Sequence, residues 1–234
     1  VGPGAGAEHC ISCSIRHLSM CAALELDELS DLEAVVAAVS LPPGKVLFDE
    51  GDQADHVFNV TSGTIRLFKA LPDGRRQITG FLLPGDFLGL SARDGYAYSA
   101  EAVTETELCR FPVRELKQLF DRYPKMEARL LDMTGDELAA AQDQMLLLGR
   151  KTPMEKISSF LLNLADRAER WGQPVSPVML PMSRGDIADY LGLTVETVSR
   201  TFTKLKGEHA IELPESSRVL LADIDRLREL ASGS

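Results

Sequence analysis

Three cysteines stand within twelve positions near the start of the chain, Cys10, Cys13 and Cys21, and a fourth, Cys109, stands alone far downstream. Those are the only cysteines in 234 residues. Three of them precede the first expected helix, in a short polar leader that offers no core to pack into. They therefore read as a ligand set or a disulfide set. Thiolates bind soft metals, and tetrahedral sulfur sites take zinc or an iron–sulfur cluster. Spacing alone leaves those two level, with a disulfide pair behind. The four histidines, His9, His17, His56 and His209, are scattered and form no H-x-H pair; His9 and His17, though near the cysteines in sequence, read as solvated leader residues.

A second stretch carries a different chemistry. From Met182 to Phe202 the chain has the pattern of a helix-turn-helix. Ile187, Ala188 and Leu191 make the inner face of a first helix, Gly192 allows a tight turn, and Thr194 caps a second helix. Val195, Val198 and Phe202 are expected to hold that second helix against the core. Glu196, Thr197, Ser199, Arg200 and Lys204 then face outward, and in such folds the outward face near the helix start enters the major groove of DNA. Arg200 can donate a bidentate pair to guanine O6 and N7, Glu196 can accept from cytosine N4, and Ser199 can do either. Arg184, Thr194 and Lys206 are candidates for phosphate contacts, which position without specifying. The apolar runs Ala210–Leu213 and Val219–Leu221 read as a β-hairpin wing.

The elements that must position these residues follow from the periodicity. Residues 1–24 form the cysteine-bearing leader. Leu26 to Val39 carries a helical apolar stripe. From Leu41 short β-rich runs alternate with turns: Val46–Phe48, Val57–Thr61, Thr64–Phe68, Gln77–Leu83, Ala100–Thr104 and Leu108–Phe111. Runs at this spacing indicate a β-sandwich or jelly roll, here over 25–124. Arg114–Tyr123 is a helix that ends before Pro124. Lys125–Leu148 is a longer one, with Leu131, Thr134, Leu138, Ala141, Met145 and Leu148 at alternating steps of three and four. That is a coiled-coil seam, and it points to a parallel homodimer over 125–149. Pro153 starts a further helix, and 150–234 form the DNA-binding part.

Bulk composition bounds the class. The hydrophobic fraction of 44% and charged fraction of 26% are ordinary for a globular protein. No apolar run approaches the roughly 20 residues of a membrane helix, and Val1–Ala7 has neither a basic nor an apolar signal region, so the expectation is an intracellular, reducing, non-membrane location. That places a disulfide further behind. The net charge of −10 argues against non-specific nucleic-acid binding; yet 184–206 is slightly basic, and a local basic patch suffices.

Jelly roll, long helix and helix-turn-helix in this order resemble the CRP/FNR family of bacterial transcription regulators over nearly the whole chain. Within it the resemblance is to the oxygen-sensing FNR branch, of the FnrL/FnrN type. It is carried by Gln77-Ile78-Thr79-Gly80-Phe81 and Pro84-Gly85-Asp86, by Met145-Leu146-Leu147-Leu148, by Arg184-Gly185-Asp186-Ile187, and above all by Tyr190 to Arg200. The resemblance implies an α+β fold: an N-terminal cyclic-nucleotide-binding-like β jelly roll, a long coiled-coil dimerisation helix and a C-terminal winged helix-turn-helix. It implies that Cys10, Cys13, Cys21 and Cys109 hold an oxygen-labile [4Fe–4S] cluster, with a loop between Cys13 and Cys21 longer than in some members. It also implies a cytoplasmic bacterial homodimer that binds a TTGAT-like inverted repeat in double-stranded DNA and recruits RNA polymerase, for which the Pro72–Arg76 turn is a candidate surface.

Three rivals are set against this. A cyclic-nucleotide-binding member of the family would place a Glu after Gly89 and an Arg near the start of the later strand; this chain has Leu90-Ser91 and Tyr98-Ser99-Ala100 there, and so no partner for a cyclic phosphate. An enzyme would need clustered ligands, a phosphate loop, a nucleophile elbow or paired acids, and the sequence offers none. A thiol switch would keep the DNA-binding part and let Cys10 and Cys13 pair on oxidation, with activity independent of iron.

Overall fold

The computed structural model describes residues 8–91 and 94–233. The stretch Val1–Ala7 and the side chain of His9 lie outside what it describes. The chain divides into two compact units, 1–138 and 139–234.

The first unit opens with a short helix α1 (Glu8–Ile11), two 3-10 turns (Arg16–Leu18 and Met20–Ala23) and α2 (Leu29–Glu33). Eight strands follow: β1 (Ala37–Leu41), β2 (Val46–Phe48), β3 (His56–Ser62), β4 (Ile65–Ala70), β5 (Arg76–Leu82), β6 (Phe87–Leu88), β7 (Ser99–Ala102) and β8 (Thr106–Pro112). They pair antiparallel in two four-stranded sheets, ordered β1-β8-β3-β6 and β2-β7-β4-β5. Leu41, Phe58, Val60 and Leu108 from the first meet Phe48, Ile65 and Leu67 from the second in one apolar core. Helices α3 (Val113–Arg122) and α4 (Pro124–Arg150) follow. Pro124 separates them and serves as the first residue of α4, where its missing N–H has no partner to lose.

All six predicted strands form, with ends shifted by one or two residues. Two more, β1 and β6, were not in the reading. The predicted helix over Leu26–Val39 is corrected: only Leu29–Glu33 is helical, and Val39 lies in β1. Val35 and Val36 are β-branched, and five residues from Ala37 find a hydrogen-bonding partner in β8, with Ala38 opposite Cys109. Strand pairing overrode the local stripe.

The leader also departs from expectation. It has a core to pack into. Cys10, Met20 and Leu24 are buried in one apolar cluster with Leu29 and Leu32 of α2, Cys109 and Phe111 of β8, and Met126 and Leu130 of α4. The small-residue turn at Pro84-Gly85-Asp86 lets the leader approach: a side chain at Gly85, which sits at φ +92°, would meet Leu18 Cβ at 3.0 Å.

The second unit contains α5 (Pro153–Arg170), β9 (Val178–Met179), α6 (Arg184–Leu191), α7 (Val195–Gly207), β10 (Ile211–Glu215), β11 (Arg218–Leu221) and α8 (Ile224–Ser232). Thr152 caps α5 in a reciprocal box with Glu155. The predicted wing is β10–β11, extended by β9 into a sheet ordered β10-β11-β9. The C-terminal α8 was not anticipated; its Leu227 is fully buried.

Candidate functional sites

The leader and β8 bring Cys10, Cys13, Cys21 and Cys109 to one small pocket. Ser19 positions Cys21: its hydroxyl donates to the Arg16 carbonyl at 3.1 Å and accepts from the Cys21 amide at 3.3 Å. The pocket walls are apolar, from Ile15, Leu32, Val36 and Phe111, with Arg16 and Asn59 as the polar exceptions. Among the described residues, none of the four thiols is in a disulfide. Burial pushes the Cys10 thiol up to about 12, helped by Cys21, Glu33 and Cys13. Burial, then the three other cysteines, pushes Cys109 up to about 12. Burial takes Cys21 up to about 11 against the hydrogen bond from Ser19. Cys10, Cys21 and Cys109 are thus held as thiols, and a cation bound there must displace protons.

Among the described residues, no three of His, Cys, Asp and Glu stand close enough to grip a single metal ion. The space between the thiols is about 20 Å³, on a measure where one water takes about 10–15 Å³. Among the described residues the donor set is pure thiol: no histidine or carboxylate of theirs lines the pocket. Four thiols on an apolar, shielded wall are a donor set of the kind that takes zinc or an iron–sulfur cluster.

One pocket residue was missed by sequence reasoning. Asn59, in β3, lies directly opposite Cys109 in the ladder and is 1% exposed. Its Nδ2 donates to Cys21 Sγ at 3.9 Å, while its Oδ1 is buried without a hydrogen-bond partner among the described residues. An Asn set into the apolar run Val57-Phe58 and Val60 was the available signal.

The second site is built on α6 and α7. Ser183 and Asp186 cap α6 reciprocally, at 3.1 and 3.0 Å. Gly192 closes α6 at φ +61°, ψ 44°, in the left-handed region that other residues occupy at a cost. The Thr194 hydroxyl then caps α7, accepting from the Thr197 amide at 3.2 Å. Ile187, Ala188 and Leu191 are buried as predicted, and so are Val198 and Phe202. Val195 is corrected: at 47% exposure it does not face the core. It is the first helical residue, ahead of the turn that packs, and Thr201 and Leu205 take the inner positions instead.

Glu196, Ser199, Arg200 and Lys204 are exposed, and Thr197 partly so. Glu196 is held below the usual carboxylate range by its own backbone amide, then by Thr194 and Arg200. Lys204 lies 3.9 Å from Glu208 one turn on. Lys206 and Thr194 are open to solvent. Arg184 is drawn inward: its guanidinium sits 3.5 Å over the Phe202 ring, with Nη1 buried and unpaired among the described residues. Behind the turn, two side chains donate to the last carbonyls of α6. Gln144 Nε2 reaches Tyr190 at 3.1 Å, and the buried Lys156 Nζ reaches Leu191 at 3.0 Å.

On α4, Met126 and Leu130 face the core. Leu131 and Met145 are 71% and 70% exposed, Leu138, Thr134 and Ala141 are also exposed, and Leu148 is half-buried. The helix therefore carries a stripe of exposed apolar side chains, Leu131, Leu138 and Met145.

Residues 38–123 match the family description "Cyclic nucleotide-binding domain", and residues 155–230 match "Crp-like helix-turn-helix domain". The chain is 44% identical to the transcriptional activatory protein AadR of Rhodopseudomonas palustris over 89% of this chain and 87% of that one. The chain belongs to the CRP/FNR family of transcription regulators. Its CRP/FNR relatives include the transcriptional activator protein FnrL of Cereibacter sphaeroides, 41% identical over 95% of this chain and 91% of that one. Among solved CRP/FNR structures, FixK2 from Bradyrhizobium japonicum superposes with a TM-score of 0.79 at 37% identity, over 84% of this chain and 97% of that one. Membership makes the chain a DNA-binding regulator and not an enzyme. The expected β roll, long helix and helix-turn-helix are those of this CRP/FNR fold. Where a cyclic-nucleotide-binding CRP/FNR member was expected to carry its Arg, the Tyr98 hydroxyl accepts from the Gly89 amide at 3.2 Å. No helix among the described residues is long and apolar enough to cross a membrane.

Proposed function

We propose that the chain is an oxygen-responsive transcription activator of the cytoplasm. Under low oxygen, Cys10, Cys13, Cys21 and Cys109 hold a [4Fe–4S] cluster. The protein then pairs through α4 and binds a TTGAT-like inverted repeat in double-stranded DNA, where it recruits RNA polymerase. Residues 1–24 serve the cluster, 25–124 form the sensor, 125–149 pair, and 150–234 bind DNA. The observation that carries this reading is the convergence of the four thiols on one pocket whose walls belong to the core that seats the start of α4.

When bound, the cluster supplies iron–thiolate bonds that are stable without oxygen and lost with it. The rest is done by the protein's own side chains. Cys109 is fixed by its strand, so the three leader cysteines are drawn towards β8. Met20 and Leu24 follow them into the core and pack with Leu29, Met126 and Leu130. Ordering of this core sets the first turns of α4, and with them the orientation of Leu131, Thr134, Leu138, Ala141, Met145 and Leu148. Two paired seams place two recognition helices about one DNA turn apart. There Glu196, Ser199 and Arg200 read base edges, Thr197 and Lys204 flank them, and Thr194, Arg184 and Lys206 touch phosphate.

The decisive measurement is iron, acid-labile sulfide and zinc per chain on protein purified without oxygen. About four irons and four sulfides, lost in air together with dimerisation, are expected. One zinc without sulfide would end the oxygen-sensor reading. A second reading is favoured by the same convergence of thiols without a disulfide between them: a regulator without a cluster, in which the cysteines act as a thiol switch. It predicts full operator binding by iron-free, reduced protein.

A further inference from the structure

We infer that Asn59 tunes the four-cysteine site, donating a hydrogen bond from its side-chain amide to the Cys21 sulfur. The inference rests on the proposed function, since it concerns the same site. Asn59 is held by β3, directly across the ladder from Cys109, while Cys21 arrives on the leader. Its Nδ2 stands 3.9 Å from Cys21 Sγ. The amide thus links the strand side of the pocket to the leader side.

The rest of the amide argues for a role beyond packing. Asn59 Oδ1 is buried and unpaired among the described residues, and a buried acceptor left without a donor lowers stability. A leucine of similar shape would carry no such penalty and would match the flanking Phe58 and Val60. What asparagine offers in its place is an N–H aimed at sulfur. Hydrogen bonds to thiolate ligands favour the more electron-rich state and raise the reduction potential of an iron–sulfur centre. Loss of the donor makes oxidation easier. Asn59 is therefore a positioning residue: it acts through Cys21 and need not touch iron.

The test compares wild type, Asn59→Leu and Asn59→Ser, each as apoprotein and after anaerobic reconstitution with iron and sulfide. Asn59→Leu apoprotein is expected to melt no lower than wild type, because the orphaned acceptor is removed. Reconstituted Asn59→Leu is expected to have a more negative reduction potential and to lose its visible absorption in air about tenfold faster. Asn59→Ser, which keeps a short donor, is expected to fall between the two, and its comparison with wild type decides the matter if Asn59→Leu does not fold. Equal potentials and equal decay across the loaded proteins would overturn the assignment. A lower melting temperature with an unchanged potential would make Asn59 a packing residue only. Wild-type protein that takes up no iron and sulfide would overturn the underlying reading first, and the assignment of Asn59 with it.

Discussion

Glu196 and Arg200 stand one turn apart on the exposed face of α7, and Arg200 is among the groups that hold the Glu196 carboxylate in its charged form. Arg200→Ala is expected to lower operator affinity by ~1–3 kcal/mol and to relax the preference at a single guanine. Competition binding against operators changed at that base checks this; a uniform loss over all sequences would reduce Arg200 to a phosphate contact. Cys109→Ser is expected to remove iron and anaerobic operator binding together, and the iron content and gel mobility of one preparation report both. The exposed face of α7 was legible in the sequence because a cap, a turn and a 3.6-residue period fix which side of the helix is free. Asn59 was not. Its meaning lies in a partner 38 residues away and in an acceptor with nothing to bond, and neither leaves a trace in local pattern.

At the scale of elements, the turn of the helix-turn-helix is held from behind. Gln144 and Lys156 donate to successive carbonyls at the end of α6, where the helix dipole is negative. Burial also lowers the pKa of Lys156, as it does for any desolvated ammonium. Lys156→Met is expected to destabilise the DNA-binding unit by about 1.5–3 kcal/mol and to weaken operator binding, with the dimer constant unchanged. Thermal melting, footprinting and sedimentation separate those effects. Helix α4 has two apolar faces, one seated on the core through Met126 and Leu130 and one exposed through Leu131 and Leu138. Leu138→Ala is expected to change monomer stability by less than about 0.5 kcal/mol and to raise the dimer dissociation constant about thirtyfold, read by sedimentation at several concentrations. The exposed face was legible as a 3-4 repeat. The inner face was not, because its partners Leu29 and Phe111 come from elements whose placement no local period reveals. The same holds for β1, which looked helical until β8 offered it a ladder.

For the whole molecule, a net charge of −10 repels DNA except where the recognition unit meets it. Few cations are available, so each phosphate contact weighs on salt dependence. Lys206→Ala is expected to weaken binding evenly across sequences and to reduce the salt slope by about 1 per protomer. Titrations at several ionic strengths decide it; an unchanged slope would take Lys206 off the phosphate backbone. The order of the architecture was legible from turn chemistry and the change of period at Val113. The union of leader, β roll and long helix in a single core was not, since a leader of 24 residues was read as having nothing to pack against.

That shared core has a consequence for inheritance. Leu24, Leu29, Leu32, Met126 and Leu130 hold no metal and touch no base, yet they join the thiol pocket to the first turns of α4. If the chain is the oxygen sensor proposed above, selection for cells that keep its target genes on in air should return few changes at the cysteines, where a substitution would lose the signal outright. It should return conservative changes among these aliphatic side chains, where the trait of air tolerance can drift by a methyl group at a time.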